Sequence, residues 1–112
     1  MKTTKTTHGG TVEILAADKF VAVPVALTVT GEVLAGTPIK EDGSKSADGT
    51  DALGILLYDA DADANPNVAV VVQGVIDQKK AEAHSGVTYN ATALKTAVPG
   101  IVLRNNIGVN AD

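Results

Sequence analysis

The chain has 112 residues, 45% of them hydrophobic, with no Cys, no Trp and three aromatics, Phe20, Tyr58 and Tyr89. Its length suits one domain with an aliphatic core, and the missing Cys excludes a disulfide framework, a thiolate nucleophile, an iron–sulfur cluster and a Cys-type zinc site. Net charge is −4, unevenly spread: Lys2 and Lys5 give the first ten residues a positive balance, and the rest carries 7 bases against 13 acids, a poor match to the basic, aromatic-bearing surface of a nucleic-acid binder.

Residues 1–10 (MKTTKTTHGG) are polar and Thr-rich, end in Gly9-Gly10 and lack an apolar period. They read as a flexible arm, with a single β-rich domain over residues 11–112. β-type runs are expected at Thr11–Leu15, Phe20–Thr30, Val33–Ile39, Leu53–Tyr58, Val68–Val75 and Ile101–Leu103. In the second run Val21, Val23, Val25, Leu27 and Val29 alternate with smaller or polar residues, so that set should face the core. Pro24 cannot donate to a ladder, which puts the run at an edge or a bulge.

Val68–Val72 (VAVVV) is apolar on both faces. It predicts a central strand or one covered by a second subunit, with Val68, Val70, Val71 and Val72 as candidate interface residues. Asp77–His84 and Thr92–Val98 predict two short helices, the first with Asp77 as N-cap and a stop at Ser85-Gly86, the second ended by Pro99-Gly100. The fold class expected is mainly β with one or two short helices, an α+β arrangement.

Asp59, Asp61, Asp63, Asn65 and Asn67 place an oxygen-bearing side chain at every second position. Calcium loops use such alternation, which makes Asp59, Asp61 and Asp63 candidate metal ligands. The EF-hand spacing fails, with Ala64 where Gly is needed and Val70 where a bidentate Glu would stand. An acidic turn between two strands is the expected reading. Gly31–Gly36 has P-loop glycine spacing, but Thr37-Pro38 follows in place of Lys-Ser/Thr. No G-x-S-x-G surrounds a serine, and His8 and His84 make a thin catalytic inventory. His84 suits the C-terminal end of a helix, and Asn90-Ala91-Thr92 is a glycosylation sequon only in a secreted eukaryotic setting. No apolar run approaches a membrane span and no signal-peptide pattern opens the chain, so a soluble, non-enzymatic binding protein without a cofactor is expected.

The segments Val33-Leu34-Ala35-Gly36-Thr37-Pro38-Ile39, Asp48-Gly49-Thr50-Asp51-Ala52-Leu53-Gly54-Ile55-Leu56 and Val68–Gly74 occur in that order around a polar loop and an acidic turn. This order resembles the capsid decoration (cement) proteins of tailed bacteriophages, of the phage lambda head-decoration type. The likeness covers residues 30–77 and, more loosely, 89–105. It implies a compact β-tulip-like fold and a homotrimer on the outer capsid surface. It further implies an N-terminal arm, here Lys2, Thr3, Thr4, Lys5, Thr6 and Thr7, that docks on the major capsid protein and helps to hold the shell against packaged DNA. Such a protein would be made in the bacterial cytoplasm and would end in the virion. The arm is shorter and more Thr-rich than in the lambda type, and the tryptophan of that type is missing. Two other classes are carried beside it: the base of a head fibre or a host-glycan adhesion module, and a small calcium-dependent module on the acidic turn.

Overall fold

A computed structural model describes residues 13–105. The arm expected over residues 1–10 lies outside them. Within them the chain forms seven strands and two helices: β1 (Val21–Ala26), β2 (Glu32–Val33), β3 (Pro38–Lys40), β4 (Ala52–Leu56), β5 (Ala60–Asp61), β6 (Asn67–Asp77), α1 (Gln78–Ser85), α2 (Ala91–Ala97) and β7 (Ile101–Arg104). The result is a mixed α+β domain, with no closed barrel among the described residues.

The main sheet has the order β1-β6-β4-β3, and β7 adds to β6 in parallel; β2 and β5 form a separate two-stranded sheet. β6 is central, with Val71 facing Ala22 of β1 on one side and Ile55 of β4 on the other. Its VAVVV run is apolar on both faces because the chain itself covers both. Val71 belongs to a core with Ile55, Leu57, Ile76, Ala81, Leu94 and Ile101, closed over by α1 and α2. Val70 belongs to a second core with Leu27, Val33, Ile39, Leu56 and Ala62, into which β2 and β5 pack. Val70 and Val71 are fully buried, so they have no surface to offer a second subunit; Val68 and Val72 are half-buried. The two-faced burial of β6 is therefore satisfied within one protomer and by itself gives no reason for another.

Three expected runs are redrawn. Phe20–Thr30 is a strand only over Val21–Ala26, and β1 is indeed an edge strand, which Pro24 tolerates. Its alternation holds from Val23 onward, whereas Val21 is 48% exposed. The cause is a register shift: Ala22 pairs with Val71 and Val21 with Gln73, leaving Val72 unopposed as a bulge that turns the end of the strand over. Val33–Ile39 breaks into β2 and β3, because Gly36 adopts φ +94° in a turn closed by Thr37 N–H to Leu34 O. Thr11–Leu15 contributes, in its described part, a single bridge from Leu15 to Ile76.

The helices follow their sequence signals. Asp77 caps α1 by accepting from Lys80 N–H at 3.1 Å, and Gly86, in the left-handed region, ends it. Asn90 of the sequon caps α2, accepting from Ala93 N–H at 3.2 Å. No helix among the described residues is long and apolar enough to cross a membrane.

Candidate functional site

The acidic turn follows β4, and the three residues that leave the strand diverge. Leu57 is buried, Tyr58 is 53% exposed, and Asp59 turns back towards the helices. Asp59 Oδ1 accepts from Ala35 N–H at 2.8 Å and from His84 Nε2 at 2.7 Å. A carboxylate only accepts, so the ring proton sits on Nε2. His84 is in the last turn of α1, and the two side chains retain only 19% and 16% exposure. The pair thus ties the C-terminal end of α1 to both the β2–β3 turn and the β4–β5 connection.

Beside it lies a second tie. Gly36 packs so close to α1 that a Cβ there would stand 2.6 Å from Ala81 O. Its carbonyl accepts the Tyr89 hydroxyl proton, while Tyr89 N–H donates to Glu82 Oε2 at 2.7 Å. Burial, reinforced by the Glu82 charge, pushes the Tyr89 phenol well above its ordinary pKa.

Asp59, Asp61 and Asp63 do not converge. Asp59 points to α1, Asp61 Oδ1 takes Asp63 N–H at 3.0 Å, and Asp63 is exposed. Among the described residues no three His, Cys, Asp or Glu are grouped to hold a metal ion. The segment is a turn, as its composition suggests, with Ala64 N–H and Asn65 N–H both returning to Asp61 O and Asn67 N–H to Asn65 Oδ1. It also holds β5, which pairs with β2 at Glu32↔Asp61 and Val33↔Ala60. So short a strand has no periodicity to betray it.

The turn and the start of β6 enclose an open cleft of about 330 Å³, with Tyr58, Asp61, Asn65, Asn67 and Val68 on its walls. A second depression, of about 300 Å³, lies by Glu32, Thr37, Lys45, Ser46, Ser85 and Val87. Of its two buried polar residues, Thr37 and Ser46, Ser46 is already engaged: its Oγ donates to Asp51 Oδ1 and accepts from Gly49 N–H. In the polar loop over residues 40–50, Asp42 and Asp48 are held below the ordinary carboxylate pKa by hydrogen bonds from the hydroxyl and N–H of Ser44 and Thr50 respectively.

Sequence reasoning placed His84 at a helix end but missed its partner 25 residues away in the chain. No local signal gave that partner: residues 57–59 lie past the end of β4, so strand parity does not fix where Asp59 turns. Of the other candidates, the arm residues Lys2 to Thr7 lie outside the described residues, Val70 and Val71 are core, and Val68 lines the cleft. No protein-family model matches this chain, and no curated protein matches its sequence.

Proposed function

We propose that this chain is a structural protein that binds the outer surface of a tailed-phage capsid and reinforces the shell. The observation that carries the reading is spatial. The segments on which the resemblance rests are not scattered: Pro38 pairs with Ile55 and Ile39 with Gly54, while Ile55 and Leu56 pair in turn with Val71 and Val70. Gly36 N–H donates to Leu56 O, and Leu56 N–H to Thr37 O. Three short motifs that could match by chance one at a time thus each contribute residues to adjacent strands of one sheet, β3, β4 and β6, which supports reading them together. On this reading the body is of the β-tulip type, the assembly on the shell is a trimer, and the major capsid protein is the partner.

The arm supplies the mechanism. An extended Thr-rich segment can add to a sheet edge through main-chain hydrogen bonds. Ordering ten residues costs on the order of 10 kcal/mol, so one arm would contribute little net affinity. Three arms on one trimer act at high effective concentration once the first has docked. The body end of the arm has a fixed exit, since Ile14 O accepts from Asp77 N–H and Ala16 N–H donates to Val75 O beside the end of β6.

The test is sedimentation with expanded empty capsids of the encoding phage. Binding should saturate at a fixed ratio to capsid subunits, and deletion of residues 2–10 should lower occupancy at least tenfold. Absence of saturable binding would remove the capsid reading; full occupancy by the deletion variant would remove the arm mechanism alone.

A further inference from the structure

We propose that the cleft beside Tyr58 is a binding site for an uncharged saccharide, with the tyrosine ring as platform and the turn's amide and carboxylate groups as hydrogen-bonding partners. The ring is held outward by the backbone. Leu57 before it is buried in the core, and Asp59 after it is fixed by Ala35 N–H and His84. Tyr58 therefore stays 53% exposed on a wall of the cleft. An exposed aromatic face of this kind stacks well on the C–H face of a pyranose ring, a surface that is apolar while its edges are polar.

The polar groups beside the ring suit those edges. Among the described residues no hydrogen bond engages Tyr58 Oη or the Asn67 side-chain amide. Asp61 and Asn65 each use only Oδ1 within the turn, towards Asp63 N–H and Asn67 N–H. Asp61 Oδ2 remains as an acceptor and Asn65 Nδ2 as a double donor, so both halves of a sugar hydroxyl's hydrogen bonding can be met. The backbone bonds of Ala64 and Asn65 to Asp61 O fix the turn that bears these groups, which lowers the ordering cost of binding.

Size and charge narrow the ligand class. At about 330 Å³ the cleft is at the small end of ligand sites, roughly 300–1,000 Å³, and suits one or two sugar rings. Among the described residues no Lys, Arg or His lines it, and Asp61 is an exposed carboxylate. Phosphorylated or acidic sugars would be repelled, and the grouping for a metal ion is lacking. The inference is independent of capsid binding, because every group it invokes belongs to one chain.

The experiment is an amide-resolved NMR titration of the full chain with glucose, galactose and N-acetylglucosamine, each taken through the millimolar range. At least one sugar should give saturable shifts centred on residues 58–69. Tyr58→Ala should abolish them with the rest of the spectrum retained, since an exposed side chain is removed, and Asn67→Ala should weaken binding about tenfold. No saturable shift with any of the three sugars, shifts centred elsewhere, or shifts that survive Tyr58→Ala would overturn the assignment.

Discussion

Tyr89 and His84 both fasten α1 to the sheet side of the domain, and they do so with different chemistry. The Tyr89 phenol is hydrogen-bonded to Gly36 O, and its burial together with the nearby Glu82 charge raises its folded pKa above the ordinary tyrosine value of 10.0. A raised folded pKa means that the associated stability is complete below the unfolded value and is lost as pH climbs beyond it towards the folded one. Unfolding free energies from urea titrations should therefore fall above pH 10 with a slope of up to about 1.4 kcal/mol per pH unit from this group. The difference between wild type and Tyr89→Phe should carry that slope, and a constant difference through this range would contradict it. For the His84–Asp59 hydrogen bond, His84→Ala leaves Asp59 mostly buried with only Ala35 N–H, and should cost about 1–2 kcal/mol. Asp59→Asn keeps an oxygen for Ala35 N–H and should cost less in the same urea denaturation series. The reverse ranking would mean that the imidazole contributes nothing there.

Among the elements, each helix owes its N-terminal boundary to one capping side chain. Asp77 is buried at the junction where β6 becomes α1 and caps Lys80 N–H, whereas Asn90 caps α2 at the surface. Asp77→Ala should cost about 1–2 kcal/mol and Asn90→Ala about 0.5–1 kcal/mol, read as shifts in thermal midpoint. Equal shifts would mean that burial of the first cap adds nothing. The Asp77 cap was legible in the sequence because capping depends on residues three apart, as was the centrality of β6, because only a strand covered on both faces reads VAVVV; the Asn90 cap was not, since Asn90 was read only as part of a sequon and the helix was expected to begin at Thr92. Val21 was not legible: the bulge that exposes it lies on its partner strand at Val72, and no pattern within β1 can reveal an irregularity opposite. The break at Gly36 was hidden for a related reason, since an unbroken apolar run says nothing about the chain leaving one sheet for another. The Asp59–His84 contact and the cleft at Tyr58 depend on topology, which local periodicity does not specify.

For the molecule as a whole, the decisive feature is that two cores share the same strands. Val70 and Leu56 face one core while their neighbours Val71 and Ile55 face the other. Neither β6 nor β4 can leave one core without leaving the other, so the two should melt as one unit even though the covering layers differ, helices on one side and a two-stranded sheet on the other. Val70→Ala and Val71→Ala each remove buried methyl groups at fully buried positions, and each should cost about 2 kcal/mol. The sharper expectation concerns how that loss spreads. Hydrogen exchange in Val70→Ala should show the slowest amides of the Val71 core, such as those of Ile76 and Leu94, losing as much protection as those beside Leu27 and Val33. If the helical side kept wild-type protection while the β2–β5 side opened, the cores would be separate cooperative units and the sharing of β6 would be geometric only. On the proposed capsid reading, coupling of this kind suits a body loaded through the segment before β1, because Ile14 and Ala16 bond directly to Asp77 and Val75 at the end of β6, a strand that both cores share.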